Sequence, residues 1–309
     1  MLRLLILIAL PAMAGQFFEL DGRVQPEAQA SVSIYGVTTP FADDTLTDAD
    51  GHFKFKKLAA GAYTIAVLEP GRGEARLTVE VGPGNADSRG RVRTVLRLKE
   101  EDFVHDARRD LISARQLTIP ESAHREFEDA QRALAKRDAA GAVEHLEKAV
   151  EIAPQFDLAW NNLGTIAYRA QQYARAEECF RRALAANPGA YEPLVNLGGV
   201  LLNLNQPDEA MLYNRHAVLL RPNDALANSQ LGMTYFGMNQ LDAAEKYLER
   251  ARDLDPAHFS HPQLLLAEIH ARENQPLKAA ADLEDFLAHH PDWPGAAALR
   301  EQIAKWKAR

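Results

Sequence analysis

Two aspartates one residue apart, followed by a glycine, make the stretch LTDADGHFKF a candidate calcium loop. An EF-type loop needs oxygen ligands at its positions 1, 3 and 5, a glycine at position 6 and a bidentate glutamate at position 12. With Gly51 at position 6, Asp48 and Asp50 fall at positions 3 and 5, but Leu46 and Lys57 fall at positions 1 and 12. Because two essential carboxylates are missing, we expect no metal, and instead a tight hairpin turn at Asp50 and Gly51 that leads into the strand HFKFKK.

Other combinations of reactive residue types are weaker. His270 and Glu273 have the H-x-x-E spacing of two zinc ligands, but residues three apart on a helix merely share a face, and no third ligand can be assigned. The only cysteine, Cys179, lies in a predicted helix, where a small packed side chain is expected rather than a nucleophile. No G-x-S-x-G, H-E-x-x-H, P-loop or G-x-G-x-x-G motif appears, so we predict neither an enzyme nor a cofactor. Loop and helix-end positions are expected for His258, His261, His289 and His290.

The first residues, MLRLLILIALPAMAGQ, have the layout of a secretory signal peptide. Arg3 precedes an apolar run, Pro11 breaks it, and small residues lead to a cleavage site after Ala14. The run is far shorter than the roughly 20 apolar residues of a spanning helix. We therefore expect residues 1–14 to be removed and the mature protein to be periplasmic or secreted, without a membrane span. The alternative is that this run forms an ordinary hydrophobic first strand.

The length and charge of the chain limit the number of domains and the class of partner that we expect. A chain of 309 residues with 47% hydrophobic composition predicts two domains, and a single cysteine excludes an internal disulfide framework. Residues 15–98 carry 10 basic and 11 acidic side chains, whereas residues 99–309 carry 24 and 32. The acidic second half disfavours nucleic acid as a partner and favours basic or neutral partners.

Residues 17–98 alternate apolar and polar side chains with the short period of β-strands. Gly/Pro/Asp clusters separate the segments, which favours an antiparallel β-sandwich over residues 15–98. The candidate strands are FFELDGRV (17–24), ASVSIYGV (30–37), HFKFKKL (52–58), AYTIAVLE (62–69), EARLTVEV (74–81) and RVRTVLRL (91–98).

The order of these motifs resembles the carboxypeptidase regulatory-like domain, a transthyretin-type (prealbumin-like) sandwich. In that family a T-D-x-x-G-x-F turn precedes an L-x-x-G-x-Y strand. The resemblance implies a fold more strongly than an activity. It rests on Thr47, Asp48, Gly51, Phe53, Leu58, Gly61 and Tyr63.

After a charged linker at 99–119, the sequence repeats itself. Prolines recur every 34 residues at Pro154, Pro188, Pro222 and Pro256, and Pro291 follows at 35. A fixed period of this length predicts an all-α solenoid of paired helices.

The repeating residues resemble the tetratricopeptide repeat. The second copy carries the family's residue types at Trp160, Leu163, Gly164, Ala176, Phe180, Ala183 and Pro188. The resemblance implies five repeats over residues 120–292 and a capping helix at 293–309. One extra residue near HFSHP leaves the register of the fifth copy open. The predicted copies are 123–156, 157–190, 191–224, 225–258 and 259–292.

In the tetratricopeptide family the first helix of each pair lines a concave groove. Amides at Asn162, Asn196 and Gln230 recur once per copy, which resembles a ladder that holds an extended peptide backbone. The alternative is that these amides only bond neighbouring helices. The implied groove consists of Asn161, Asn162, Thr165, Tyr168, Arg169, Asn196, Asn203, Ser229, Gln230, Met233 and Phe236.

The resemblances imply an exported, non-enzymatic scaffold that binds a protein or peptide partner in the groove of the repeats. A second hypothesis is an accessory protein that binds carbohydrate through the sandwich. Sugar-binding surfaces use exposed aromatic rings, and Tyr35 and Phe41 are the rings expected to be available there.

Overall fold

The computed structural model describes residues 17–37, 41–104 and 118–308. The predicted signal peptide at 1–14 and most of the predicted linker lie outside these residues. Within the described ranges, no helix combines the length and the apolar character needed to cross a membrane.

The N-terminal part forms a β-sandwich of two sheets. The strands are β1 (Phe18–Gln25), β2 (Ser31–Gly36), β3 (Ala42–Leu46), β4 (His52–Leu58), β5 (Gly61–Glu69), β6 (Gly73–Val81) and β7 (Arg91–Arg97). A three-stranded sheet has the order β4-β1-β7, and a four-stranded sheet has the order β3-β2-β5-β6. The inward side chains of both sheets form one hydrophobic core that includes Leu20, Ile34 and Tyr63.

The motif residues that indicated this domain hold its turns. The hydroxyl of Thr47 donates to the Ala28 carbonyl at 2.7 Å. Between β3 and β4, Asp48 accepts hydrogen bonds from the backbone N–H groups of Asp50 and His52, at 3.0 and 2.9 Å. Gly51 has φ 77°, the left-handed region that favours glycine. The tight turn with a left-handed glycine is therefore present as expected, but the predicted hairpin is not, because the turn joins strands of different sheets. Asp48 provides the capping carboxylate.

The sandwich differs from the sequence prediction in two strands. β3 was not predicted, because adjacent aspartates are unfavourable in strands; here Asp43 and Asp44 are exposed on an edge strand. β1 pairs with β7 in parallel, whereas all other pairs are antiparallel. The two paired strands lie at opposite ends of the domain sequence, so no hairpin turn constrains their direction.

The C-terminal part is a solenoid of antiparallel helix pairs. Each first helix packs on its own second helix, and each second helix packs on the helix that follows it. The helices are α1 (Glu121–Ala135), α2 (Ala139–Ile152), α3 (Asp157–Arg169), α4 (Tyr173–Ala186), α5 (Tyr191–Asn203), α6 (Pro207–Leu220), α7 (Ala225–Gly237), α8 (Leu241–Leu254), α9 (Pro262–Arg272), α10 (Pro276–His289) and α11 (Ala296–Lys307).

Two local devices recur with the period of the sequence. At the start of the pairs, the side chain of a first helix donates to the carbonyl of the preceding proline: Trp160 to Pro154 at 2.9 Å, and Asn228 to Pro222 at 2.9 Å. Within each pair, one residue of the tight turn has φ between 58° and 62°. These left-handed residues are Arg137, Gln171, Asn205, Asn239 and Asn274.

The extra residue of the fifth copy is absorbed before its first helix. α8 ends at Leu254 and α9 begins only at Pro262, so the connection is longer than between the earlier pairs. His261, directly before α9, has φ 52°. The insertion therefore lengthens a loop and shortens a helix, and leaves the pairing of α9 with α10 intact.

Candidate functional site

The predicted groove residues lie on three consecutive first helices, which contact one another across the solenoid. Asn161, Asn162, Thr165, Tyr168 and Arg169 lie on α3; Asn196 and Asn203 lie on α5; Ser229, Gln230, Met233 and Phe236 lie on α7.

Hydrogen bonds join these side chains across neighbouring pairs. The Asn196 amide donates to the Asn161 side-chain oxygen at 3.3 Å. The Asn203 amide donates to the Tyr168 hydroxyl at 3.2 Å and to the Gly199 carbonyl at 2.9 Å. The polar groups of α3 and α5 thus form two rungs between helices, and part of their hydrogen-bonding capacity is used within the protein.

On α7, the predicted groove residues nearer the amino-terminal end are buried. Ser229 is fully buried, and Gln230 is only 8% exposed. The Gln230 amide packs against Gly199, where a Cβ atom would lie 2.6 Å from its nitrogen. Gln230 therefore fills the space between α5 and α7 by packing, and its buried side-chain oxygen has no hydrogen-bond partner among the described residues.

The groove is open near the carboxyl-terminal ends of the first helices. Tyr168 is 39% exposed and Asn203 is exposed, while Phe236 is half-buried. The guanidinium of Arg272 lies 4.6 Å from the centroid of the Phe236 ring, within cation–π distance, and donates to the Glu268 carboxylate at 2.8 Å. We call this set, Tyr168, Asn203, Phe236 and Arg272, the open strip.

Two further predicted residues border the open strip. Burial lowers the pKa of Arg169 to about 10. Met233 is half-buried on α7, one turn before Phe236. The strip therefore combines two rings, an amide, a thioether and cationic groups on one concave surface.

The sandwich docks on the solenoid through its edge strand β6. The Thr78 N–H donates to the Asp255 carboxylate at 2.9 Å, and the Gly84 N–H donates to Asp292 at 2.8 Å. Glu80 lies 3.3 Å from His290. Edge strands carry unpaired N–H groups, so the solenoid satisfies part of this edge with carboxylates.

Sequence reasoning missed this interface, although a periodic position marks it. The residue directly after the second helix is Ala153, Asn187, Arg221, Asp255 or His290 in successive pairs. In the last three pairs this position is charged or imidazole, and the side chain is buried. Buried polar residues at one repeating position are the signal that could have indicated a docked partner domain.

Several titratable groups meet near this interface. Burial raises the pKa of Asp255 to about 6, against the opposing hydrogen bonds from Thr78. Burial lowers the pKa of both His258 and His261 to about 3, so these two imidazoles are neutral at neutral pH. His258 bonds Ser260, with 2.6 Å between Nδ1 and Oγ.

His270 belongs to a buried ion cluster and not to an H-x-x-E pair. Its Nδ1 lies 2.6 Å from Asp282 of α10, and its Nε2 lies 2.9 Å from Glu245 of α8. These bonds raise the pKa of His270 against its burial, which acts in the opposite direction and is the largest single effect. Glu273 instead accepts a bond from Gln275. Both imidazole nitrogens are therefore occupied by carboxylates from neighbouring helices.

Cys179 and the acidic turn at Asp48, the two other candidates for chemistry, lie in surroundings that indicate a structural role. Cys179 is buried in the core between the first two helix pairs, and burial raises the pKa of its thiol to about 11. Asp48, Asp50 and His52 bring three ligand-type atoms within 4.8 Å of one another on the surface. The Asp48 carboxylate among them already accepts the two backbone bonds of the turn.

Comparison with protein families gives two kinds of match, in sequence order. Residues 20–94 match the carboxypeptidase regulatory-like domain. Residues 126–255 match the middle TPR-like domain of cilia and flagella-associated protein 70, and residues 229–294 match the tetratricopeptide repeat. Both resemblances predicted from the motifs are confirmed.

The curated relatives match part of the chain. Anaphase-promoting complex subunit 3 of Schizosaccharomyces pombe is 26% identical over 174 residues, which cover 55% of this chain and 25% of that protein. Cellulose synthase operon protein C of Pseudomonas fluorescens is 29% identical over 148 residues, covering 44% of this chain and 12% of that protein. The chain thus matches a quarter or less of the length of these relatives.

Solved structures show the same solenoid fold. MamA of Desulfovibrio magneticus superposes with a TM-score of 0.51 at 22% identity, covering 57% of this chain and 99% of that chain. PilW, a type IV pilus biogenesis factor, superposes with a TM-score of 0.52 at 22% identity, covering 61% and 92%. The predicted two-domain fold, a β-sandwich followed by a tetratricopeptide solenoid, is confirmed.

Proposed function

We propose that this chain, in which a carboxypeptidase regulatory-like domain precedes tetratricopeptide repeats, is an exported, non-enzymatic scaffold that holds a polypeptide partner in the concave groove. The observation that carries the proposal is the open strip. Tyr168, Asn203 and Arg272 are exposed and Phe236 is half-buried, whereas Ser229 and Gln230, nearer the amino-terminal end of α7, are buried.

The chemistry of the open strip suits a polypeptide. Asn203 offers a carbonyl oxygen beyond the donors it uses toward Tyr168 and Gly199. Tyr168 and Phe236 offer ring surface for apolar side chains, and Arg272 offers a cation for a carboxylate. An extended or helical peptide presents backbone amides, apolar groups and charges together, so it matches all three kinds of group.

The position of the open strip changes which amides of the proposed ladder we expect a partner to contact. Asn162 is half-buried on α3, whereas Asn196 bonds Asn161 and Gln230 fills the α5–α7 contact. We propose that a partner contacts the exposed rung at Asn203 first, and that the inner amides mainly orient the helices. The direct use of Asn162, Asn196 and Gln230 in binding stays a prediction.

The absence of catalysis is part of the proposal, and two observations support it. The His270 imidazole has both nitrogens bonded to carboxylates, which leaves neither free to abstract a proton from a substrate. Cys179 is buried, and a thiol with a pKa of about 11 is protonated at neutral pH.

The curated relatives support a role in an assembly. Anaphase-promoting complex subunit 3 is by its name a subunit of a complex, and it matches 55% of this chain. Export is proposed from residues 1–14, whose sequence has the layout of a signal peptide. The partner is therefore sought outside the cytoplasm.

Site-specific photocrosslinking of the full chain tests the groove. A photoreactive residue at Asn203 is expected to give discrete adducts with a host protein, and the same residue at Leu219, which is 75% exposed on α6, is the matched control. The double variant Y168A/F236A should abolish the Asn203 adducts. Equal adducts from both positions, or adducts that survive the double variant, would exclude the groove.

The carbohydrate alternative is weaker in the structure. Phe41 is only 7% exposed and packs edge-on against Tyr63, with 6.2 Å between ring centroids, so the expectation that its ring is available is wrong. Tyr35 keeps an exposed ring on the outer face of β2. One ring is a small platform for a sugar, so we place the binding function in the repeats.

A further inference from the structure

β7 carries a row of arginines along the outer face of the three-stranded sheet. Arg91, Arg93 and Arg97 alternate with inward side chains, and the remaining outward position is Val95. Arg93 and Arg97 are both exposed. β7 is therefore cationic, although the domain as a whole has nearly equal numbers of basic and acidic side chains.

The two exposed arginines lack the ion pairs that neutralise neighbouring cations. Lys54, on the same face, lies 3.1 Å from Glu19, and Arg91 lies 3.0 Å from Asp87. Within residues 17–37, 41–104 and 118–308, no carboxylate forms a salt bridge with Arg93 or Arg97. A positive potential therefore remains along the second half of β7.

The backbone of the same strand is open on its outer side. In the sheet, β7 pairs with β1 alone among the strands that the structure describes. The Leu98 N–H bonds Gln25 next to β1, whereas both backbone groups of Arg91 bond Asp87 on the other side. Because successive residues of a strand direct their backbone groups to opposite sides, those of Arg93 and Arg97 face the open edge.

We propose that the β7 edge binds an extended acidic polypeptide, which adds to the sheet as a further strand and presents carboxylates at alternate positions. Side chains two apart on a strand are roughly 6.6 Å apart. Arg93 and Arg97 are four residues apart, about 13 Å, with Val95 between them. In a paired strand, two carboxylates four residues apart therefore face the arginines and the one between them faces Val95, while the backbone bonds the open edge.

The layout of charges favours a linear polypeptide over a flat anionic membrane. Glu19 and Asp21 lie on β1, directly beside the arginine row. A planar anionic surface that reached both outer strands would press against these carboxylates, whereas a peptide along the outer side of β7 avoids them. The outward positions of β4, β1 and β7 carry no Phe, Tyr or Trp ring on which a sugar could stack.

Two of the other three edge strands of the sandwich do not offer this site. β6 is held by Asp255 of the solenoid, and β3 carries exposed Asp43 and Asp44, which would repel an acidic strand. The arginines also oppose pairing between two β7 edges, because like charges would face each other. The edge therefore selects an acidic partner strand and rejects a second copy of itself.

Fluorescence anisotropy with the full chain tests the proposal. The probe is a labelled peptide TETETETET, compared with TTTEEEETT, which has the same composition but places its glutamates on both faces of a strand. We expect the alternating peptide to bind at least about tenfold more tightly at low salt. The charge reversal R93E/R97E should lower its affinity by about tenfold or more and create affinity for TKTKTKTKT.

The control variant R215E/K278E makes the same change in net charge at exposed solenoid positions and should leave the affinity unaltered. Equal binding of both glutamate peptides would overturn strand addition and leave only general polyanion binding. Equal losses in the two charge variants would overturn the assignment to β7. Binding to anionic lipid vesicles that depends on Arg93 and Arg97, with no binding of the peptide, would replace the polypeptide by a membrane.

Discussion

Substituting Asp255 by asparagine should change how the stability of the protein depends on pH. Asp255 follows α8 and accepts the Thr78 N–H of β6 at 2.9 Å. It also faces the Ala257 N–H and the imidazole of His290. The carboxylate therefore lies at the junction of the two domains and loses most of its hydration there.

The magnitude follows from the pKa of Asp255, which burial raises from 3.8 to about 6. Between these two values the folded chain holds a proton that the unfolded chain has lost. Folding is therefore favoured at low pH, and this contribution is lost as the pH rises through about 6. At 1.36 kcal/mol per pKa unit, full ionisation of Asp255 lowers the free energy of unfolding by about 3 kcal/mol. Asparagine stays neutral, so D255N should gain stability relative to the parent by about that amount between pH 4 and pH 7.

Denaturant unfolding at a series of pH values measures this difference. D253N is the matched control, because Asp253 is exposed two residues earlier and makes only surface contacts. Repeating the pair in an H290Q background separates the contribution of His290. If the stability difference between D255N and the parent does not change with pH, Asp255 is not buried against β6 and the docking geometry is wrong.

Three further substitutions test single features of the fold by thermal or denaturant unfolding. Asn214→Leu should stabilise the solenoid by about 1 kcal/mol, because the buried Asn214 side-chain oxygen has no hydrogen-bond partner among the described residues. Thr234 loses the bond from Asn214 but keeps its own bond to the Gln230 carbonyl. A lower free energy of unfolding in the variant would refute this prediction. His270→Gln should cost about 3 kcal/mol, because the buried Asp282 loses its imidazole partner at 2.6 Å and keeps only the longer contact to Arg252 at 3.8 Å. In the parent, the stabilisation from His270 is fully present below pH 6.5 and is lost as the pH rises through the raised pKa of His270. The variant should lack this pH dependence, so an unchanged pH profile would contradict the ion cluster. Gly51→Ala should cost about 1 to 2 kcal/mol, because φ is 77° and its Cβ would lie 2.7 Å from a carbonyl oxygen; a neutral effect would show a different turn.

The solenoid was predictable because its information is local and repeated. Each copy buries its apolar residues against itself and its neighbours, so the same residue types return at the same spacing. Gly164 illustrates this: a Cβ atom there would lie 2.6 Å from the Phe180 ring of the same copy. The insertion before α9 was also visible, but its effect was not, because only the packed structure shows that the loop around His261 absorbs it.

The sandwich was predictable from alternation, and its exceptions have physical reasons. β3 lacks an apolar face, since Asp43, Asp44 and Leu46 are exposed, so no alternation marks it. The parallel pairing of β1 with β7 depends on which edge the last strand reaches, which is a long-range choice. Motif residues such as Tyr63, which donates to the Ala59 carbonyl, act within a few residues and were readable in sequence.

The candidate site was only partly predictable. The sequence places the inner positions of the first helices, but Gln230 and Tyr168 look equally available there, whereas one is buried and the other exposed. The difference arises from packing between helices, such as the contact of Gln230 with Gly199. Contacts between Thr78 and Asp255 join residues 177 positions apart, and no periodicity connects them.

The docking of β6 orients the sandwich on the solenoid and so determines which surfaces of the two domains stay accessible. A carboxylate that accepts an edge N–H is directional, so Asp255 and Asp292 hold the strand at two points and set its course along the repeats. At the far end of the solenoid, Arg137 donates to the Lys57 carbonyl and lies 5.2 Å from the Phe41 ring centroid. Contacts at both ends orient the sandwich, which leaves β7 and the open strip as separate accessible surfaces. A polypeptide in the strip and an acidic strand on β7 could therefore be bound at the same time, and charge reversal on β7 should leave crosslinking from the strip unchanged.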